Sequence, residues 1–174
     1  GSDGGGVTID SDAGTLTVSG AITTNGGDST FGGTGDAGDA GDITLTSTNS
    51  TIDLDTADFN AIAGLGTNPE PAPGEDPPQI GLPGDGGDVT FAGNVRLTNV
   101  PVAPNVPGDA STATTIDTVR GVDPLNFQFA GAAGDVTFQG TVDGDDQLII
   151  TSGFTDPSQQ NSAGGDVLFQ GVVG

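Results

Sequence analysis

The side chains that could do chemistry in this sequence are almost all aspartates. There are 24 acidic residues against two basic ones, Arg96 and Arg120, and the formal charge is −22. Two groups are tightly spaced: Asp53, Asp55 and Asp58, and Asp143, Asp145 and Asp146. Hard cations take several oxygen ligands, and clustered carboxylates with loop carbonyls supply them, so Ca2+ is the one cofactor these spacings suggest. The opposing reading is that these aspartates form turns, each bonding a nearby backbone N–H. The tract Gly33-Thr34-Gly35-Asp36-Ala37-Gly38-Asp39-Ala40-Gly41-Asp42 resembles Gly/Asp calcium-binding nonapeptides. It lacks their spacing, because its acids recur every third residue without the hydrophobic position.

Catalysis has few candidates. The chain has no His, Cys, Lys or Tyr, which removes the usual general bases and most nucleophiles. Paired carboxylates could hydrolyse a glycoside, but no pair stands out and few aromatics could line a sugar cleft. The expectation is a protein that is not an enzyme. The negative charge disfavours nucleic acid and anionic lipid, and no apolar run is long enough to span a bilayer.

What must position these residues is a repeat. Gly41-Asp42-Ile43-Thr44-Leu45, Gly87-Asp88-Val89-Thr90-Phe91, Gly134-Asp135-Val136-Thr137-Phe138 and Gly165-Asp166-Val167-Leu168-Phe169 share one pattern, at intervals of 46, 47 and 31 residues. A degenerate copy falls at Gly6-Val7-Thr8-Ile9, and Gly27-Asp28-Ser29-Thr30-Phe31 is a further candidate. Apolar residues alternate within each copy, the period of a strand with one buried face. Gly93, Gly140 and Gly171 follow as bends, after which Val95, Val142 or Val172 turns inward again. Further strands are expected at Thr15–Val18, Arg96–Thr98 and Gln147–Thr151, and one helical turn is conceivable within Thr56–Ala63.

One such unit cannot bury its own apolar face, but stacked units can. The expected fold is all-β, a right-handed parallel β-helix (β-solenoid) of about four to five coils over residues 1–174. Ile43, Val89, Val136 and Val167 would stack in one row, and Leu45, Phe91, Phe138 and Phe169 in another. Pro-rich stretches at 64–86 and 100–112 read as loop insertions, and 153–164 as a shorter one. An antiparallel β-sandwich is the competing architecture. With no initiator Met or signal peptide, the sequence reads as a piece of something larger.

The string Gly134–Gly144, followed by Asp146–Gly153, resembles the repeats of filamentous-haemagglutinin-like large bacterial exoproteins. The resemblance covers most of the chain after Gly41. It implies a secreted, cell-surface protein, a parallel β-helix, and a structural or adhesive shaft as the function. Other functions consistent with the residues are a self-assembling filament subunit and a calcium-stabilised carbohydrate-binding module. Partners would be other copies end to end, or a surface glycan or protein.

Overall fold

Strands form where the period-two alternation runs. The computed structural model describes residues 1–29, 35–66, 81–98, 113–119, 131–153 and 164–174. Each copy of the Gly-Asp motif leads into a strand: β1 (Val7–Ser11), β4 (Ile43–Asp55), β6 (Val89–Thr98), β8 (Val136–Phe138) and β11 (Val167–Phe169). These lie side by side in the order β1-β4-β6-β8-β11. Two short strands complete this sheet, β2 (Leu16–Val18) on β4 and β9 (Val142–Gly144) on β6. A second sheet has the order β10-β7-β5-β3, from β3 (Ala21–Thr23), β5 (Asp58–Asn60), β7 (Thr114–Asp117) and β10 (Leu148–Thr151).

Every strand pair among the described residues is parallel. The domain is therefore all-β with parallel sheets, and the antiparallel sandwich is excluded. The register sets equivalent residues of successive copies on one another: Val7, Ile43, Val89, Val136 and Val167 in one row, and Ile9, Leu45, Phe91, Phe138 and Phe169 in the next. Because each partner lies one repeat away, the two anticipated rows are realised as rows of contacting side chains.

The core lies between the sheets. Ile43, Leu45, Ile52, Leu54, Val89, Phe91, Val136 and Phe138 face Phe59 and Ile116 from the second sheet. Phe91 stacks on Phe138 with ring centroids 4.8 Å apart and 8° between planes, and Phe138 stacks on Phe169 at 4.8 Å and 4°. Phe59 meets Phe91 edge-on at 5.2 Å and 89°, joining the two sheets through an aromatic contact.

Several local expectations need correction. The segment Thr56–Ala63 holds strand β5 and no helical turn; Phe59 is buried in the core, and pairing with β3 and β7 fixes the strand. Gly27-Asp28 lies beside Gly64 and Leu65, away from the Gly41-Asp42 row, and is no copy of that motif. The partner of Val142 is Val173; Val172 points out and is 73% exposed.

Of the 64–86 stretch, 64–66 and 81–86 belong to the packed body, where Ala37 N–H donates to Leu82 O and Gly64 N–H to Gly38 O. Residues 67–80, the whole of 100–112, and 154–163 lie outside the described residues, as does Arg120.

Candidate functional site

Three aspartates of the Gly-Asp motif, Asp42, Asp88 and Asp135, have one geometry. Asp42 Oδ1 accepts from Asp88 N–H at 3.0 Å, Asp88 Oδ1 from Asp135 N–H at 2.8 Å, and Asp135 Oδ1 from Asp166 N–H at 2.7 Å. A second column runs beside it. Asp3 Oδ1 accepts from Asp39 N–H at 3.3 Å, Asp39 Oδ1 from Asp85 N–H at 2.8 Å, and Asp85 Oδ1 from Ala132 N–H at 2.6 Å. Asp36 accepts in the same way from Leu82 N–H, Asn25 from Ile62, Asp28 from Leu65, and Asn94 from Thr141. In all of these the side chain belongs to one repeat and the N–H to the next. A carboxylate accepting a backbone N–H forms a charge-assisted bond, and Asp is short enough to span a single strand spacing.

The acids recur every third residue for a physical reason. Segments 35–42, 81–88 and 131–135 form no named strand, and a three-residue recurrence is the period of a chain with three residues per turn and no internal hydrogen bonds. Each N–H must then find another segment. In the Gly-Asp-Ala triplets, Gly38 and Gly41 donate sideways to Gly27 O and Thr24 O, at 2.8 Å each. Ala37 and Ala40 donate onward to Leu82 O and Asp85 O in the next repeat, also at 2.8 Å. The N–H groups of Asp39, Asp85 and Asp88 take the carboxylates of Asp3, Asp39 and Asp42 in the preceding repeat.

The glycine of each triplet allows this approach. A Cβ on Gly87 would lie 2.3 Å from Gly41 O, and one on Gly134 would lie 2.1 Å from Gly87 O. No other residue fits a position where one repeat's backbone rests on the next.

Four of the six calcium candidates, Asp53, Asp58, Asp143 and Asp146, have separate partners. Asp53 is held by Arg96, with Nε to Oδ1 at 3.1 Å and Nη2 to Oδ2 at 2.5 Å. The Arg96 side chain stays 58% exposed while covering Asp53, whose side chain is 11% exposed, and the bond and charge of Asp53 raise the Arg96 pKa above its usual range. Asp58 accepts from Thr115 Oγ1 at 2.5 Å, and Asp55 ends β4. Asp143 and Asp146 each accept from the N–H of the following residue at 2.8 Å, with Asp145 between them. Among the described residues, no three acidic, His or Cys side chains gather as ligands.

Two further features lie on the surface. The corner Ser47–Ser50 in β4 corresponds to the single residue Gly93 in β6, which is the register shift between those strands. The step leaves an open recess of about 380 Å³ lined by Ser47, Thr48, Asn49, Ser50, Thr51, Gly93 and Asn94. Ser47 Oγ is buried there without a hydrogen-bond partner. The other feature is the outer edge of β11, where Val167, Leu168, Phe169, Val172 and Val173 are exposed.

The sequence reading passed over Asn25, Asp28, Asp36, Asp39, Asp85 and Asn94 as part of this system. A signal for some of them was present: Asp39 and Asp85 stand at the same interval as Asp42 and Asp88. No helix among the described residues is long and apolar enough to cross a membrane. No protein-family model, no curated protein and no solved structure matches the chain.

Proposed function

We propose that this chain is a segment of a structural or adhesive shaft on a secreted or cell-surface bacterial fibre, built as a right-handed β-solenoid of about four to five coils. One observation carries the reading. Each Gly-Asp motif pairs in register with the next, so a further repeat adds length without changing the cross-section. The right-handed sense follows from chain chirality, since parallel crossover connections within one sheet are almost always right-handed. The side chains also suit a non-catalytic scaffold. The aspartates bridge repeats, the aromatics stack in the core, and His, Cys, Lys and Tyr are missing from the sequence. Ligand recognition would then fall to loops carried by the scaffold.

The test is to insert four extra copies of residues 88–134 in tandem and measure shape by small-angle scattering. The particle should lengthen by about 20 Å, at about 4.8 Å per coil, with an unchanged cross-sectional radius. A product that widens, or that is unfolded, would reject the shaft.

A further inference from the structure

The two outer edges of the first sheet are complementary to each other. Val136 N–H donates to Asp166 O, and Gln170 N–H to Phe138 O, so Asp166 and Gln170 turn their backbone groups toward β8. Alternation along a strand then sends the N–H and C=O groups of Val167 and Phe169 to the open side. On β1 the sense is opposite. Val7 N–H donates to Asp42 O, so Val7 and Ile9 face β4 while Gly6, Thr8 and Asp10 face outward.

We propose that a second copy of this chain docks head to tail, its β1 on the β11 edge, as one more step of the same register. Val167 N–H would donate to Gly6 O of the second copy, as Val7 N–H does to Asp42 O. Asp166 Oδ1 would accept from Gly6 N–H, as Asp42 does from Asp88. The exposed side chains of Val167, Phe169 and Val173 would be covered by Val7, Ile9 and Leu16, their counterparts by register. The occupant is a second copy because the interface continues one already built between each pair of repeats within the chain. The proposal rests on the stacked-repeat reading above. A charge of −22 on each copy opposes it, so docking strengthens as salt screens that repulsion.

The chain has no cysteine, which gives a clean background for cross-linking. Thr8 and Leu168 occupy one outward-facing row with Thr44, Thr90 and Thr137. Across the join they would be neighbours at about 4.8 Å, within the roughly 4.4–6.8 Å Cα span of a disulfide. Thr8→Cys and Leu168→Cys proteins are mixed at high salt under mild oxidation. The expected result is the mixed disulfide in at least about ten-fold excess over either homodimer, while Thr17→Cys paired with Leu168→Cys gives none of that excess. Predominant homodimers, or no intermolecular bond, would overturn the docking. Thr44→Cys with Thr90→Cys in one chain reports on the repeat stacking alone: if that internal disulfide closes and the intermolecular one does not, docking fails and the shaft reading stands.

Discussion

Asp88 takes part in two joins at once. Its carboxylate accepts from the next repeat, while its own N–H is held by Asp42 from the repeat before. Asp88→Ala leaves the Asp135 N–H unpaired and is expected to cost about 1 kcal/mol in urea unfolding, whereas Asp88→Asn keeps an acceptor and costs less. Gly134→Ala forces a methyl group against the Gly87 carbonyl and should cost about 1–3 kcal/mol or more, because backbone cannot move aside as a flexible side chain would. Asp117 behaves differently from the ladder acids. Burial raises its pKa, partly offset by the bond from Val119 N–H. With the folded pKa above the unfolded one, its stabilising effect is complete below the unfolded value and is lost as pH rises through the folded value. Asp117→Asn should therefore melt higher than the parent at pH 7, and the difference should vanish near pH 3.

The strand rows spread stability unevenly among the elements. Phe138 is sandwiched between Phe91 and Phe169 and fully buried, so Phe138→Ala is expected to cost about 3–5 kcal/mol by chemical denaturation. Phe169 has a ring on one side only and is 38% exposed, so Phe169→Ala should cost clearly less. Equal losses would show that the β11 edge is covered in solution, which links this measurement to the cross-linking above. The corner where Ser47–Ser50 gives way to Gly93 changes the outline of the repeat without changing its rows, since pairing resumes at Thr51 and Asn94. Loops and corners can vary in this architecture while the ladders stay in step.

For the molecule as a whole, the balance is between stacking, which joins repeats, and charge, which drives them apart. Carboxylates recur on neighbouring repeats, and the formal charge is −22. Thermal melting should therefore rise with sodium chloride as repulsion is screened. Four of the six calcium candidates, Asp53, Asp58, Asp143 and Asp146, are separately engaged by Arg96, Thr115 or a neighbouring N–H, so at matched ionic strength millimolar calcium or EDTA should leave the melting temperature unchanged. A calcium-dependent rise of several degrees would point to a carbohydrate-binding module stabilised by the ion.

Much of the fold was legible in the residues because the repeat is written twice, once in period and once in type. Period-two alternation placed Val136 and Phe138 on one face, and the recurrence of Gly-Asp aligned them with Val89 and Phe91 and with Val167 and Phe169. Strand β5 was not legible, because its local residues favour nothing strongly and its pairing comes from segments some forty to sixty residues away. The role of the acids was hidden for a related reason: a carboxylate spaced three residues from the next has the same appearance in a calcium loop and in a ladder. The sequence by itself determined which side chains recur. Only the tertiary structure decided what they do, because a hydrogen bond from one repeat to the next exists only once the repeats lie side by side.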